Sequence, residues 1–274
     1  MPVGMSLHLG LNAVDPGHYN GWGGPLTACE ADARDMAAIS AQGGFKPTIA
    51  LTKKATRSLL SKYLADAAKT LKKGDYLILS YSGHGGQVPD TNGDEPDGLD
   101  ETWCLYDGEF LDDELYAAFG KFSEGVRIAV FSDSCHSGSV IKNNLISRAA
   151  MRTQPEKRYR AMPSEFVQSV YLKNKSFYDK IQAKGTTAPE AVTASGILIS
   201  GCQDNQLSAD GAFNGLFTGT LKTIWNGGAF KKKGYHAMQK AVLKHMPPDQ
   251  SPSYFMIGKK DAKFEKVRPF TVEA

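Results

Sequence analysis

No stretch of this sequence approaches the roughly 20 consecutive apolar residues that a membrane-spanning helix needs, so no segment reads as crossing a bilayer. Met1 to Gly10 lacks the basic start and long apolar run of a secretory signal. Excess charge is also scarce. Thirty-two Lys and Arg against 29 Asp and Glu leave a net charge of +3, too little to argue for a nucleic-acid partner. Cysteine is sparse, and Cys29, Cys104, Cys135 and Cys202 form no C-x-x-C pair, which speaks against a zinc ribbon or a redox motif. Four scattered thiols in 274 residues suit a reducing cytoplasm better than a disulfide framework. There is no internal repeat, and no G-x-S-x-G elbow of a serine hydrolase.

What is present is an ordinary globular composition, 41% apolar and 22% charged. At this length a chain buries about three quarters of the surface its unfolded form exposes, so the core needs no staple. Strand and helix patterns alternate. Met5–Asn12, Lys46–Leu51, Tyr76–Ser80, Val126–Ser132, Ile197–Gly201 and Ser253–Ile257 read as strands. Cys29–Gln42, Thr56–Leu71, Asp112–Phe122, Asn214–Trp225 and Tyr235–His245 read as helices, with Gly43–Gly44 ending the first and Thr56 capping the second. The expectation is an α/β fold: a mostly parallel sheet with helices on both faces.

Two stretches break the alternation. Residues 85–115 hold eleven Asp or Glu and no Lys or Arg. Residues 142–184 hold ten Lys or Arg against three acids, and only Ser164–Ile181 there has a helical pattern. Loops this long in a compact domain are usually functional or mobile.

In open parallel sheets, sites form beyond the carboxyl ends of the strands. One strand runs into Tyr81-Ser82-Gly83-His84-Gly85-Gly86, another into Asp133-Ser134-Cys135-His136-Ser137-Gly138. A thiol is the strongest nucleophile among side chains once a base activates it. Cys135 is therefore the expected nucleophile and His84 its general base and acid. Glycines let backbone N–H groups approach an acyl oxygen, which assigns the amides of Cys135 and Gly85 to an oxyanion hole. His136 is expected to point away. His8, His18, His236 and His245 have no evident partners and read as structural or surface residues.

The segments YSGHGG and DSCHSG resemble the His and Cys boxes of caspase-like cysteine peptidases, closest to metacaspases and the bacterial orthocaspases. The stretch Ala13–Asp35 with GPLTACEADARDM, and Ser200–Gly211 followed by NGLFTGTL, extend the resemblance over nearly the whole chain. It implies a caspase–haemoglobinase fold with a six-stranded sheet. The chain would be one peptidase domain: residues 1–146 a large-subunit-like half, 147–190 a basic linker, and 191–274 a small-subunit-like half. It also implies an endopeptidase cutting protein or peptide substrates after Arg or Lys, typically as a monomer. By motif match the specificity pocket would hold Cys29, Asp32, Ser82 and Asp133. A bidentate Arg–carboxylate pair is strong and directional, which suits the two acids. Asp32 could otherwise be a solvated acid in the first turn of a helix.

The resemblance also implies Ca²⁺ at Asp100, Asp112 and Asp113. The hard oxygens of the acidic stretch suit that ion, although an acid that the family carries shortly after the nucleophile is missing from Val140–Asn143. No cofactor is obligatory on this reading, and a plain acidic loop remains open. The basic stretch offers Arg148, Arg152, Lys157, Arg158 and Arg160 beside a cleft that would cut after Arg. Self-processing within Ser147–Met162 is expected, with an inhibitory lid or a solvated basic loop as alternatives. Rival readings of the whole chain are a catalytically silent caspase-like scaffold, a Ca²⁺-responsive binding module and a legumain-like Asn-cutting enzyme.

Overall fold

A computed structural model describes residues 1–91, 93, 98–135, 159–184, 191–202, 208–211, 213–230 and 234–273. Its centre is a six-stranded sheet built from β1 (Gly4–Gly10), β2 (Phe45–Leu51), β3 (Tyr76–Ser82), β7 (Arg127–Asp133), β8 (Ser195–Ser200) and β9 (Ser253–Gly258). The order is β2-β1-β3-β7-β8-β9, and every pairing is parallel except that of β9 with β8. The expected α/β class and the six-stranded sheet hold. No helix among the described residues is long and apolar enough to cross a membrane.

Period-two alternation within the central strands feeds two cores. Leu77 and Leu79 of β3 and Ile128 and Val130 of β7 face α2 (Arg57–Thr70) and α3 (Asp112–Phe119), meeting Leu60, Leu64, Leu115 and Phe119. Ile78, Ala129, Phe131, Ile197 and Ile199 face the other way. They pack against α1 (Cys29–Gln42), α6 (Leu216–Trp225) and α7 (Tyr235–Leu243) through Met36, Leu221, Trp225, Met238 and Val242. Both faces of the inner strands are thus covered, as their nearly continuous apolar sequence requires. Thr56 caps α2 as expected, its hydroxyl accepting the Leu59 N–H at 3.2 Å.

Two parts depart from the sequence reading. The acidic stretch, expected to be a loop apart from one helix, contains a second sheet. β4 (Gly85–Pro89), β5 (Leu99–Leu105) and β6 (Gly108–Leu111) form it as an antiparallel set, β4-β5-β6. Its apolar positions, Val88, Trp103, Leu105, Phe110 and Leu111, are few, and its acids Asp100 and Glu109 are themselves buried, so the strands carry no period-two pattern. The helix expected over Ser164–Ile181 is two helices, α4 (Ser164–Lys173) and α5 (Lys175–Gln182), broken at Asn174. The Asn174 side chain donates to the carbonyls of Val170 and His18, which holds the break against the N-terminal region.

Register places the chemistry. Ser82, the last residue of β3, pairs with Asp133, the last of β7. His84 and Cys135 each lie two residues beyond that pair, so two adjacent parallel strands deliver them to one edge of the sheet.

Candidate active site

Cys135 is buried, and its backbone N–H donates to the carbonyl of Arg160 at 3.1 Å. The Gly85 N–H donates to the same carbonyl at 2.9 Å. These are the two amides expected to form an oxyanion hole, and they converge on the main chain of the protein itself. Gly85 has to be glycine here. A Cβ at this position would stand 1.8 Å from the Cys135 carbonyl oxygen, so any side chain would push the two strand-end loops apart.

His84 lies in a nest closed by Trp22, whose ring centre is 4.7 Å away. Its Nε2–H donates to the Gly24 carbonyl at 3.1 Å. That leaves the lone pair on Nδ1, which is buried without a hydrogen-bond partner. Burial is the main reason the imidazole titrates at about 4 instead of near 6.5, with Arg160 adding to the effect and the Gly24 carbonyl opposing it. The ring is therefore neutral at neutral pH, the state a general base requires. The His84 carbonyl is fixed from behind by the Tyr81 hydroxyl at 2.6 Å and the Cys104 N–H at 2.9 Å.

The segment around Arg160 lies along this edge like a bound peptide. Arg160 N–H donates to the Ser208 carbonyl at 3.0 Å, and Tyr159 bridges Ala209 in antiparallel fashion. On the other side of Arg160, Ala161 bridges Gly85, and Met162 N–H donates to the Gly85 carbonyl at 2.7 Å. The Met162 side chain packs with Val14, Tyr19, Trp22 and Val170. The Ser208 backbone also lies against the Cys135 thiol.

The Arg160 side chain is fully buried among acids. Nη2 lies 2.7 Å from Asp32 Oδ2 and 3.0 Å from Asp210 Oδ1, and Nη1 lies 3.0 Å from Asp133 Oδ2. Nη1 also donates to Ser82 Oγ at 2.8 Å and to the Asp133 carbonyl at 3.2 Å. Burial raises the Asp32 carboxyl to about 6 although Arg160 pulls it down, and neighbouring Asp133 adds to the rise. Burial also acts to raise Asp210, but there Arg160 and the Thr27 N–H outweigh it and hold the carboxyl below its usual range. Cys29 is buried beside them. Burial pushes its thiol up to about 12, which makes it a wall of the pocket and not a second nucleophile.

All the residues expected in the pocket from the sequence, Cys29, Asp32, Ser82 and Asp133, thus come together around one guanidinium. Sequence reasoning missed Asp210, Gly24 and Ser208. The only signal for Asp210 was an acid inside the SADG segment, and nothing local distinguished it from a solvated loop residue. Gly24 and Ser208 act through their backbone, which leaves no mark on residue type. Of the arginines considered for self-processing, Arg160 lies in the cleft. Arg148, Arg152, Lys157, Arg158 and His136 lie outside the described residues.

The acids that the resemblance links to calcium lie on the second sheet and on α3. Asp112 opens α3, and its Oδ1 is buried without a hydrogen-bond partner. Burial raises its carboxyl to about 8, and Glu101, Asp113 and Asp100 add to the rise. Asp100 accepts a 2.8 Å hydrogen bond from Gln182 Nε2 of α5. Among the described residues, no three His, Cys, Asp or Glu side chains are gathered tightly enough to hold a metal. The donors are hard oxygens of the kind Ca²⁺ takes, with Asp112 Oδ1 the unpartnered one, but the described side chains do not by themselves complete a site.

Comparison with known proteins accords with this geometry. The model of the caspase domain matches residues 13–263. Metacaspase-1 of Mycosarcoma maydis is 29% identical over 244 residues, covering 78% of this chain and 59% of that protein. Metacaspase-1 of Coccidioides immitis is 30% identical over 251 residues, covering 79% and 52%. The chain spans about half the length of these curated relatives. The crystal structure of a Geobacter sulfurreducens protein superposes over all of both chains with a TM-score of 0.91 and 56% identity. Caspase-1 of Spodoptera frugiperda, at 12% identity and a TM-score of 0.57 over 98% of this chain and 90% of that one, shares the fold. The chain belongs to the caspase-domain family, as a caspase-like protein of the metacaspase type.

Proposed function

We propose that this protein is a cysteine endopeptidase that cuts after Arg or Lys, and that its first substrate is its own Arg160–Ala161 bond. One observation carries the reading: a single residue, Arg160, has its carbonyl between two backbone donors beside Cys135 and its guanidinium among three carboxylates. A loop that merely covered the cleft would need neither contact, and this segment makes both.

His84 Nδ1 takes the proton of the Cys135 thiol, since Nε2 carries the hydrogen given to Gly24. The thiolate attacks the Arg160 carbonyl carbon. The negative charge that develops on oxygen is held by the Cys135 and Gly85 N–H groups, the kind of donor pair worth about 10²-fold or more in rate. The tetrahedral adduct collapses to a thioester as His84 passes its proton to the departing Ala161 nitrogen. Water, deprotonated by His84, then releases Arg160 as a free carboxylate and restores the thiol. Until the bond breaks, the same contacts block the cleft, so the uncut chain is its own inhibitor. Proteins and peptides carrying Arg or Lys before the scissile bond are the expected external substrates. Calcium enters this reading as a regulator held near Asp100, Asp112 and Asp113, with no chemical step passing through it.

Intact-mass spectrometry over a time course tests the proposal. The expected products end at Arg160 and begin at Ala161, and the Cys135→Ala and His84→Ala proteins stay whole. A wild-type chain that remains intact with and without Ca²⁺, and leaves Arg and Lys peptides uncut, would favour the silent scaffold instead. Fragments that persist in Cys135→Ala would trace the cut to another protease.

A further inference from the structure

The residues around Arg160 discriminate between the two cationic side chains that the peptidase reading allows. We propose that Asp210 is a specificity-determining residue of this pocket, and that it makes the enzyme prefer Arg to Lys. This inference rests on the peptidase reading and deepens it.

The three carboxylates come from three separate parts of the fold: α1, the end of β7, and the segment after β8. Each is held in place by groups other than the guanidinium. Asp32 accepts from Ser82 Oγ at 2.8 Å, from Asn214 Nδ2 at 2.9 Å and from the Gly215 N–H. Asp133 accepts from Thr218 through both its N–H and its hydroxyl, and from Ser208 Oγ at 2.8 Å. Asp210 Oδ2 accepts from the Thr27 N–H at 2.8 Å and the Thr27 hydroxyl at 2.9 Å. The pocket is therefore organised in advance, and its oxygens stand where the fork of a guanidinium ends.

The division of labour across that fork is specific. Nη1 takes Asp133 and Ser82, whereas Nη2 is shared by Asp32 and Asp210. The floor also matches a flat group. A Cβ on Gly215 would lie 2.4 Å from Nη2 and 2.5 Å from Nη1, so only a bare backbone lets the guanidinium plane slide past. A lysine ends in one nitrogen on a shorter stem, and a single ammonium cannot occupy the Nη1 and Nη2 positions together. Lysine would leave Asp210, or the Asp133 side, buried without its partner. Sites reject an analogue most strongly when it strands a buried polar group of the site. The Asp32, Asp133 and Asp210 side chains are all at most 2% exposed, so a stranded one has no water to turn to.

Cleavage of paired peptides that differ only in Arg or Lys before the scissile bond tests the inference. The assay uses the full chain after incubation for self-processing. The wild type is expected to favour Arg by roughly 30-fold or more in kcat/KM. Asp210→Asn should lower the Arg value about tenfold, mainly through KM, and leave the Lys value within about threefold, so that the ratio collapses. Thr27→Val keeps the carboxylate but removes one of its anchors, and should shift the ratio in the same direction by less. Competitive inhibition gives a second readout. Agmatine should bind the wild type more tightly than cadaverine, and Asp210→Asn should narrow that gap. Turnover with an Arg:Lys ratio that Asp210→Asn leaves unchanged overturns the inference and leaves the peptidase reading standing. Failure of the wild type to cut either peptide overturns the peptidase reading, and this inference with it.

Discussion

Two acidic regions of this molecule answer the same electrostatic problem in different ways. In the pocket, Asp32, Asp133 and Asp210 are buried around a guanidinium supplied by their own chain, and each carries further backbone or hydroxyl donors. Around Asp112, Asp100 is buried and Glu101, Asp112 and Asp113 are half-buried, yet burial and the neighbouring carboxylates push the Asp112 carboxyl to about 8 and one of its oxygens has no partner. Taking carboxylates out of water is costly in both places. The first region recovers the cost from a fixed cation and fixed donors, and so is complete as folded. The second is poised to gain a proton or a cation. Similar composition thus meets two different surroundings, and the difference lies in what the fold brings alongside.

The largest effect should come from removing the cation of the first region. Arg160→Ala leaves three buried carboxylates facing each other, and loss of one partner from a buried ion cluster costs about 3–5 kcal/mol. Chemical denaturation should show a fall of that order, together with disappearance of the 160/161 cut. A loss under about 1 kcal/mol would mean that the pocket opens to water once the arginine is gone, and the contrast between the regions would then be one of access only.

The converse experiment supplies a cation to the second region. Calcium at a hundredfold its dissociation constant should stabilise the protein by about 2.7 kcal/mol. Thermal unfolding in Ca²⁺ against EDTA reads this directly, and Asp112→Asn should abolish the shift. An equal shift in Asp112→Asn would move the metal elsewhere.

A pH profile sharpens the contrast at about the 2 kcal/mol level. On the proposed mechanism His84 acts only when neutral. With Arg160 in the cleft its pKa is depressed to about 4, so self-cleavage should persist on acidification and be lost as the pH falls through about 4. For a peptide entering an opened, wetter cleft the imidazole returns toward its ordinary value near 6.5, and activity falls at that higher pH. At pH 5 the neutral fraction differs by roughly 30-fold between the two situations. Coincident acid limbs for self-cleavage and peptide cleavage would show that burial by the segment does not govern the base.

The smallest effect belongs to the link between the regions. Gln182 of α5 donates to Asp100 and to the Pro89 carbonyl, and α4 and α5 continue directly from the segment in the cleft. Gln182→Ala should cost about 1 kcal/mol, read as faster hydrogen exchange in α5. Unchanged exchange there would uncouple the helices from the acidic sheet.

Much of this was legible before any coordinates. Strands with nearly continuous apolar runs, read as Tyr76–Ser80 and Val126–Ser132, reveal themselves because both of their faces are covered. A histidine among glycines and a cysteine among small polar residues mark two strand ends that the structure brings to one edge of the sheet. The β4–β6 sheet stayed hidden because two of its acids, Asp100 and Glu109, are buried where sequence suggests a solvated loop. The break at Asn174 was invisible because it is held by the carbonyl of His18, 156 residues away. His18 itself looked idle in sequence, yet its Nε2 meets the Tyr178 hydroxyl at 2.8 Å.

The sequence by itself determined the alternation that makes the sheet and the places of His84 and Cys135 at two strand ends, and through its family resemblance it pointed to two of the three acids around the arginine. The first two rest on local pattern and on spacing within a segment, which a linear chain carries in full, whereas the acids came only from motif likeness to the family. Only the tertiary structure decided that Arg160 is the arginine in the cleft, that its carbonyl meets the Cys135 and Gly85 amides, and that Asp210 joins Asp32 on the same nitrogen. Asp32 and Asp210 are 178 positions apart, and Arg160 lies between them in a stretch whose composition reads as a basic loop. Which charges meet is fixed by how strands and loops converge at one edge of a sheet, and electrostatic attraction at that range depends on distance in space, which the order of residues does not record.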